Sequence, residues 1–154
     1  MGIEIERKYL LAGDAWRKLA KGIHYRQGYL NSDKNRTVRV RTVNDKGFLT
    51  IKGINVGATC LEFEYAIPKT ECNIMLDELV EKPIIEKCRY RVNYKGHIWE
   101  IDEFFEENQG LILAEVELES EDQNIEIPEW IGKEVTGDSR YFNSNLIKYP
   151  YTKW

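Results

Sequence analysis

The sequence predicts a mainly β protein with a few helices: an antiparallel sheet of eight strands, able to close into a barrel with the helices outside. Three observations carry that expectation. Apolar and polar residues alternate with the period of a strand over 2–10, 23–30, 36–43, 47–53, 58–67, 84–94, 97–105 and 111–119. Turn-forming sequences separate many of these stretches, so neighbours are joined as hairpins. In seven of the eight, charge occupies one face and mostly apolar residues the other.

Taken in order, "EIERKYLL" places Glu4, Glu6 and Lys8 on one side and Ile5, Arg7 and Tyr9 on the other, because residues i, i+2 and i+4 of a strand point the same way. "DAWRKLAK" follows as a helix with Asp14 in the capping position. The strand containing "RQGYL" ends at the turn "NSDKN", 31–35. "TVRVRTV" then sets Arg39 and Arg41 against Val38 and Val40, ending at "NDKG", 44–47. "FLTIKG" puts Lys52 opposite Ile51 and turns at "NVG", 55–57. In "CLEFEYAI", Glu62 and Glu64 oppose Leu61, Phe63 and Tyr65. A helix over "TECNIMLDELVEK" takes Thr70 as its cap and holds Ile74, Leu76, Leu79 and Val80 broadly on one side. "IEKCRYRV" sets Lys87, Arg89 and Arg91 against Cys88, Tyr90 and Val92, and "YKG" at 94–96 turns it into "IWEIDEF", where Glu100 and Asp102 oppose Trp99 and Ile101. "LAEVELES" closes the set, with Glu115, Glu117 and Glu119 opposite Ala114, Val116 and Leu118. Beyond it, "SEDQNI" reads as a short helix and "DSRYFNSNLIKY" as a final helix capped by Asp138.

Composition bounds the rest. The 154 residues are expected to form one domain, 1–154, with a real core. A hydrophobic share of 42% beside 31% charged residues fits a soluble globular chain. No run of eighteen apolar residues exists, so no ordinary membrane span is expected, and the charged start offers no secretory signal. Three widely spaced cysteines, Cys60, Cys72 and Cys88, argue against a disulfide framework or a zinc site and fit a reducing cytoplasm. A net charge of −4 gives no reason to expect nucleic-acid binding. His24 and His97 lie near strand ends and read as structural. The tail "YPYTKW" could pack on the sheet or pair with another subunit, which leaves monomer and homodimer both open.

The charges come in same-sign blocks: "EIE", "RVR", "EFE", "KCRYR", "EID", "EVE". On an ordinary wet sheet face, cross-strand pairing favours opposite signs instead. If the apolar sides face outward, the charged sides line an interior, where they must be paired, hydrated or bound to ions. Lys8, Arg39, Arg41, Lys52, Lys87, Arg89 and Arg91 are natural partners of phosphate oxygens. The carboxylates suit Mg²⁺ or Mn²⁺, which couple carboxylates to phosphates. A small-molecule triphosphate or polyphosphate arriving with one or two divalent ions is the expected ligand.

"EIERK" resembles the ExExK signature of the CYTH domain, the triphosphate tunnel metalloenzyme family. "RQGYL", "VRVR", "TIKG", "EFEYAI", "EKCRY", "EIDEF", "AEVELE" and "VTGDSRYFNSNL" resemble further family blocks in the same order, so the likeness covers nearly the whole chain. It implies an eight-stranded antiparallel closed β-barrel binding a triphosphate with divalent metal. By motif, Glu4, Glu6, Asp102, Glu115 and Glu117 correspond to metal-binding carboxylates, and Lys8, Arg39, Arg41, Lys52, Lys87 and Arg89 to phosphate-gripping bases. Arg91 extends that row; Lys133 and Arg140 lie in the terminal blocks and could reach the tunnel or form surface salt bridges. Glu62 and Glu64 stand where relatives place carboxylates near the metals or the attacking water.

The implied chemistry is metal-assisted phosphoanhydride hydrolysis, with no serine or cysteine nucleophile. Family substrates include inorganic tripolyphosphate, nucleoside triphosphates and thiamine triphosphate, and some members cyclise ATP. Tyr29 resembles a tyrosine that, with the ExExK lysine, marks members preferring tripolyphosphate; a hydroxyl bonded to Lys8 would hold that lysine near the water or a terminal phosphate. Phe104 or Phe105 could stack on a purine. Tripolyphosphate hydrolysis therefore leads and nucleoside triphosphate hydrolysis follows. The reading from another class is a non-catalytic polyphosphate-binding module, which would not need carboxylates on four strands.

Overall fold

The computed structural model describes residues 2–154. All eight predicted strands form: β1 Ile3–Leu11, β2 Ile23–Asn31, β3 Arg36–Val43, β4 Lys46–Gly53, β5 Thr59–Ile67, β6 Glu81–Tyr94, β7 His97–Phe104 and β8 Ile112–Glu117. A ninth, β9, spans Ile131–Glu134. The strands run β5-β4-β3-β2-β6-β7-β8-β1, every neighbouring pair antiparallel, and β1 returns to β5 to close the barrel. Closure is thin, three residue pairs from Ile3↔Leu61 to Ile5↔Thr59. β1 forks: its middle pairs with β8 and its end, Tyr9 and Leu11, with β9.

Hairpins set the registers. Between β6 and β7 the two-residue loop Lys95–Gly96 has positive φ at both positions, the twist that carries a right-handed ribbon through a tight turn. The chain between β5 and β6 forms α1, Lys69–Glu78, on the outer wall. Gly28 in β2 makes room there: a Cβ on it would stand 2.7 Å from Val80.

Three apolar clusters hold the fold. One lies outside the barrel, where Tyr9, Val92, Trp99, Ile101 and Val116 of the outer strand faces are covered by Trp16 and Trp130. Another packs Cys72 and Leu76 of α1 on Val40. The last is inside. Ile85, Phe104 and Leu113 lie two residues from Lys87, Asp102 and Glu115 on the same strand faces, so the interior turns apolar toward one end, where Val135, Tyr141, Leu146 and Ile147 pack against it. Phe104 belongs to this plug and is unavailable to a purine.

The helical expectations need correction. "DAWRKLAK" yields only a 3-10 turn, Ala15–Lys18, and Asp14 makes no capping hydrogen bond. α1 begins one residue before Thr70, after Pro68, with no side-chain cap. Its buried face is Cys72 and Leu76, spaced i, i+4, while Ile74 and Leu79 point to solvent. "SEDQNI" forms turns. Asp138 does cap, accepting from the Arg140 amide, but of a 3-10 turn, Ser139–Tyr141, followed by the four-residue α2, Asn143–Leu146. The tail packs on its own chain: Trp154 meets Tyr141 and Tyr151 edge-on, at 5.1 and 5.0 Å between ring centres. Among the described residues, no helix is long and apolar enough to cross a membrane.

Candidate active site

A cavity of about 480 Å³ occupies the charged part of the barrel. Strand alternation delivers its walls: Glu4, Glu6 and Lys8 from β1, Arg39 and Arg41 from β3, Lys52 from β4, Glu62 and Glu64 from β5, Lys87 and Arg89 from β6, Glu100 from β7 and Glu115 from β8. Registers place opposite charges side by side, as Lys8↔Glu115 and Lys52↔Glu62, and like charges too, as Glu6↔Glu117 and Glu100↔Glu115.

The basic wall is tightly constrained. Lys87 and Arg89 share Asp102: Lys87 Nζ donates to Oδ2 at 2.8 Å, and Arg89 donates from Nε to Oδ1 at 2.7 Å and from Nη2 to Oδ2 at 2.8 Å. Burial pulls the Lys87 ammonium down to about 8, aided by the Arg89 charge and opposed by Asp102. Burial also opposes ionisation of Asp102, yet the two cations hold its carboxyl below the usual range. On the far side of β2, Arg39 and Arg41 converge on one oxygen of Glu64, at 3.4 and 3.2 Å. Two guanidiniums thus share a single carboxylate, and burial together with Arg39 and Arg89 lowers Arg41 to about 10. The Nε–H groups of both arginines are buried without a partner. Buried unpaired donors are costly; these would be satisfied by an anion in the cavity.

The acidic wall carries the reverse imbalance. Burial, with Glu115 and Glu4 beside it, raises the Glu6 carboxyl well above the usual range. Glu4 and Glu62 share a hydrogen bond: burial and that bond push Glu62 up to about 7, while Glu4, despite burial, is held low by Lys52, 3.0 Å from its Oε1. Among the described residues, no three His, Cys, Asp or Glu side chains stand close enough together to hold a metal ion as they are. The donors nevertheless fit a hard divalent cation: they are carboxylates alone, and their mutual repulsion is what such an ion would relieve.

Lys8 is pinned at the end of its row. Its Nζ donates to the Tyr141 carbonyl at 3.2 Å, lies 4.0 Å from Glu115 and sits over the Phe142 ring. The expected hydroxyl bond from Tyr29 is not made. Tyr29 borders the cavity from the apolar plug, and burial raises its phenol. The C-terminal chain has taken the tyrosine's place at the lysine.

Several sequence-derived candidates fall elsewhere. Asp102 is 1% exposed and off the cavity wall, with both oxygens accepting hydrogen bonds from Lys87 and Arg89. Glu117 is exposed beside Glu4 and Glu100. Arg91 is solvent-exposed, 3.5 Å from Glu100. Lys133 is exposed, and Arg140 bonds to Asp138 and stacks on Tyr141 and Trp154 outside the cavity. In turn, the structure adds Glu100, Lys34, Thr37, Thr136, Ser139, Asn143 and Ser144 to the wall. Glu100 and Thr37 continue the alternation of their strands and were within reach of the sequence pattern; the loop residues carry no periodic signal.

A closed antiparallel barrel with basic and acidic walls facing one cavity defines a tunnel protein suited to a polyanion accompanied by cations. The chain belongs to the CYTH domain family, whose model matches residues 2–149. It is 56% identical over 151 residues to an inorganic triphosphatase of Acetivibrio thermocellus, covering 98% of this chain and 97% of that protein. It is 37% identical over 147 residues to an inorganic triphosphatase of Nitrosomonas europaea, covering 93% and 95%. A crystal structure of an inorganic triphosphatase superimposes with a TM-score of 0.64 at 34% identity, covering 93% of this chain and 96% of the other.

Proposed function

We propose that this chain, acting as one domain in the cytoplasm, hydrolyses inorganic tripolyphosphate at a phosphoanhydride bond with the help of Mg²⁺ or Mn²⁺. The observation that carries the reading is the pair of buried, unpartnered Nε–H donors of Arg39 and Arg41 in a cavity that also holds Lys8, Lys52, Lys87 and Arg89. The named activities of the two relatives agree with it.

In this reading the arginines and lysines grip the nonbridging oxygens and stabilise charge that moves onto the leaving phosphate. Glu4, Glu6 and Glu115, with Glu117 at the edge, would hold divalent metal, which when bound neutralises the triphosphate and lowers the pKa of a coordinated water. Lys8, fixed by the Tyr141 carbonyl, presents its ammonium to a phosphoryl oxygen. Glu62, whose carboxyl titrates up to about 7 beside Glu4, would in its ionised form take the proton that the attacking water gives up. Asp102 keeps Lys87 and Arg89 in position. Cys60, Cys72 and Cys88 are all free thiols, which suits a reducing compartment.

Phosphate release from tripolyphosphate, ATP and thiamine triphosphate, each with Mg²⁺, Mn²⁺ or Ca²⁺, tests the reading. Tripolyphosphate should turn over fastest and EDTA should abolish turnover. Binding without turnover of any of the three would instead make the barrel a polyphosphate-binding module.

Face assignment gives a second expectation. Lys8→Ala should lower kcat on the order of 100-fold, the usual effect of losing one preorganised donor. Arg7→Ala should change it little, because Arg7 points outward and donates to the Glu121 and Gln123 carbonyls. Equal losses would contradict the sidedness.

A third expectation concerns pH. Because the Lys87 ammonium in the free protein titrates near 8, a phosphate-gripping charge is present below that pH and is lost above it. The profile of kcat/KM, which reports the free enzyme, should therefore fall on the alkaline side from about pH 8. Lys87→Met should be slower throughout and lack that limb; an unchanged limb in the variant would assign it to another group.

A further inference from the structure

Within the same cavity, we infer that Asn143 and Ser144 form an uncharged phosphoryl-binding subsite, with Gln27 holding Asn143 in place; this rests on the triphosphate reading above. Four observations lead there. Gln27 points into the barrel from β2, is completely buried, and donates from Nε2 to Asn143 Oδ1 at 3.2 Å. That bond fixes the Asn143 amide with its oxygen turned to the barrel and leaves its NH₂ as the free end, and Asn143 borders the cavity. Ser144 is 9% exposed and borders the same cavity. Gln27 Oε1 is itself a buried acceptor with no partner.

Buried polar groups without partners are rare because each forfeits its hydration. Here the orphan acceptor of Gln27 stands behind an amide and a hydroxyl that border the cavity, where the C-terminal segment meets the barrel interior. The chemistry that the amide and the hydroxyl match is a phosphoryl group, to whose P–O⁻ oxygens both can donate, while Gln27 behind them orients the amide. Cations elsewhere in the cavity supply attraction. Neutral donors supply direction without adding to the repulsion already present among the bases. The C-terminal segment is also the part of the chain that holds Lys8, through the Tyr141 carbonyl. The subsite and the lysine are thus set by the same backbone.

The test is calorimetric binding of tripolyphosphate in EDTA, together with KM and kcat in Mg²⁺, for Asn143→Asp, Asn143→Ala, Ser144→Ala and Gln27→Leu. Asn143→Asp replaces the donor with a carboxylate facing phosphate, and Kd and KM should rise at least tenfold. Asn143→Ala and Ser144→Ala should each raise them several-fold, with kcat changed less. Gln27→Leu should raise KM as Asn143→Ala does and add little in the double variant, because it acts only through Asn143. If Asn143→Asp folds, judged by an unchanged Tm, and binds tripolyphosphate as the parent does, the subsite is wrong; if it does not fold, Ser144→Ala and Asn143→Ala decide in the same way. A parent protein that binds tripolyphosphate without hydrolysing it, while Asn143→Asp weakens that binding, would overturn the hydrolytic reading and leave the subsite standing.

Discussion

Asp102→Ala is expected to be the most destabilising single change in the barrel, at about 3–5 kcal/mol. The carboxylate is 1% exposed and takes three hydrogen bonds from Lys87 and Arg89. Without it two cations face each other in the interior, with Glu100, 3.3 Å from Arg89, and Glu115 as the remaining carboxylates acting on them. For a chain of this length such a loss lowers Tm by roughly 10 °C. Tripolyphosphate should restore more of that stability in the variant than it adds to the parent, because the anion supplies the missing counter-charge. The result bears on the identity of the site as well as on stability. A variant with unchanged Tm but weakened metal dependence would return Asp102 to the role of a metal ligand, which its motif suggests and its geometry does not.

Arg41→Met should move stability and binding in opposite directions. In the ligand-free barrel Arg41 shares Glu64 with Arg39, leaves its Nε–H unpaired, and is held below the usual guanidinium range by burial and by the positive charge of Arg39 and Arg89. Methionine keeps an apolar stem against Tyr25, whose ring lies 5.3 Å from the guanidinium, and removes the repulsion. The ligand-free protein should gain about 1 kcal/mol, some 2–4 °C in Tm. Affinity for tripolyphosphate should fall roughly 10–150-fold, the loss of one charge-assisted hydrogen bond worth about 1.5–3 kcal/mol. Thermal melts and titration calorimetry on the same sample read both. A variant that lost stability and affinity together would mean that Arg41 supports the fold and that its unpaired donor is not held ready for an anion.

The strands were legible because each signal is local. Alternation over eight or nine residues and a turn at either end set a strand whatever its partners, and all eight emerged with boundaries shifted by a few residues. β9 escaped because four residues, "IGKE", show no usable period. The helix faces misled because α1 fully buries only Cys72 and Leu76, a narrower stripe than its apolar content suggests. Among the candidate residues, those on strands close to the barrel centre met in the cavity. Arg91 and Glu117 lie one step further along their strands and reach solvent. Lys133 lies in the four-residue β9 and Arg140 in a 3-10 turn, both too short to show a period.

By itself, the sequence determined which side chains share a strand face, and hence that acids and bases would be sorted from apolar residues, since that follows from backbone geometry alone. Only the tertiary structure decided which charges neutralise one another. The register of the β6–β7 hairpin brought Asp102 to Lys87 and Arg89, the successive pairings of β3, β4 and β5 brought two arginines to one Glu64, and packing of the C-terminal segment brought the Tyr141 carbonyl to Lys8. Register between strands and the path of an aperiodic tail depend on contacts distant in the chain. The strength of a buried charge depends on those contacts far more than on its own residue type.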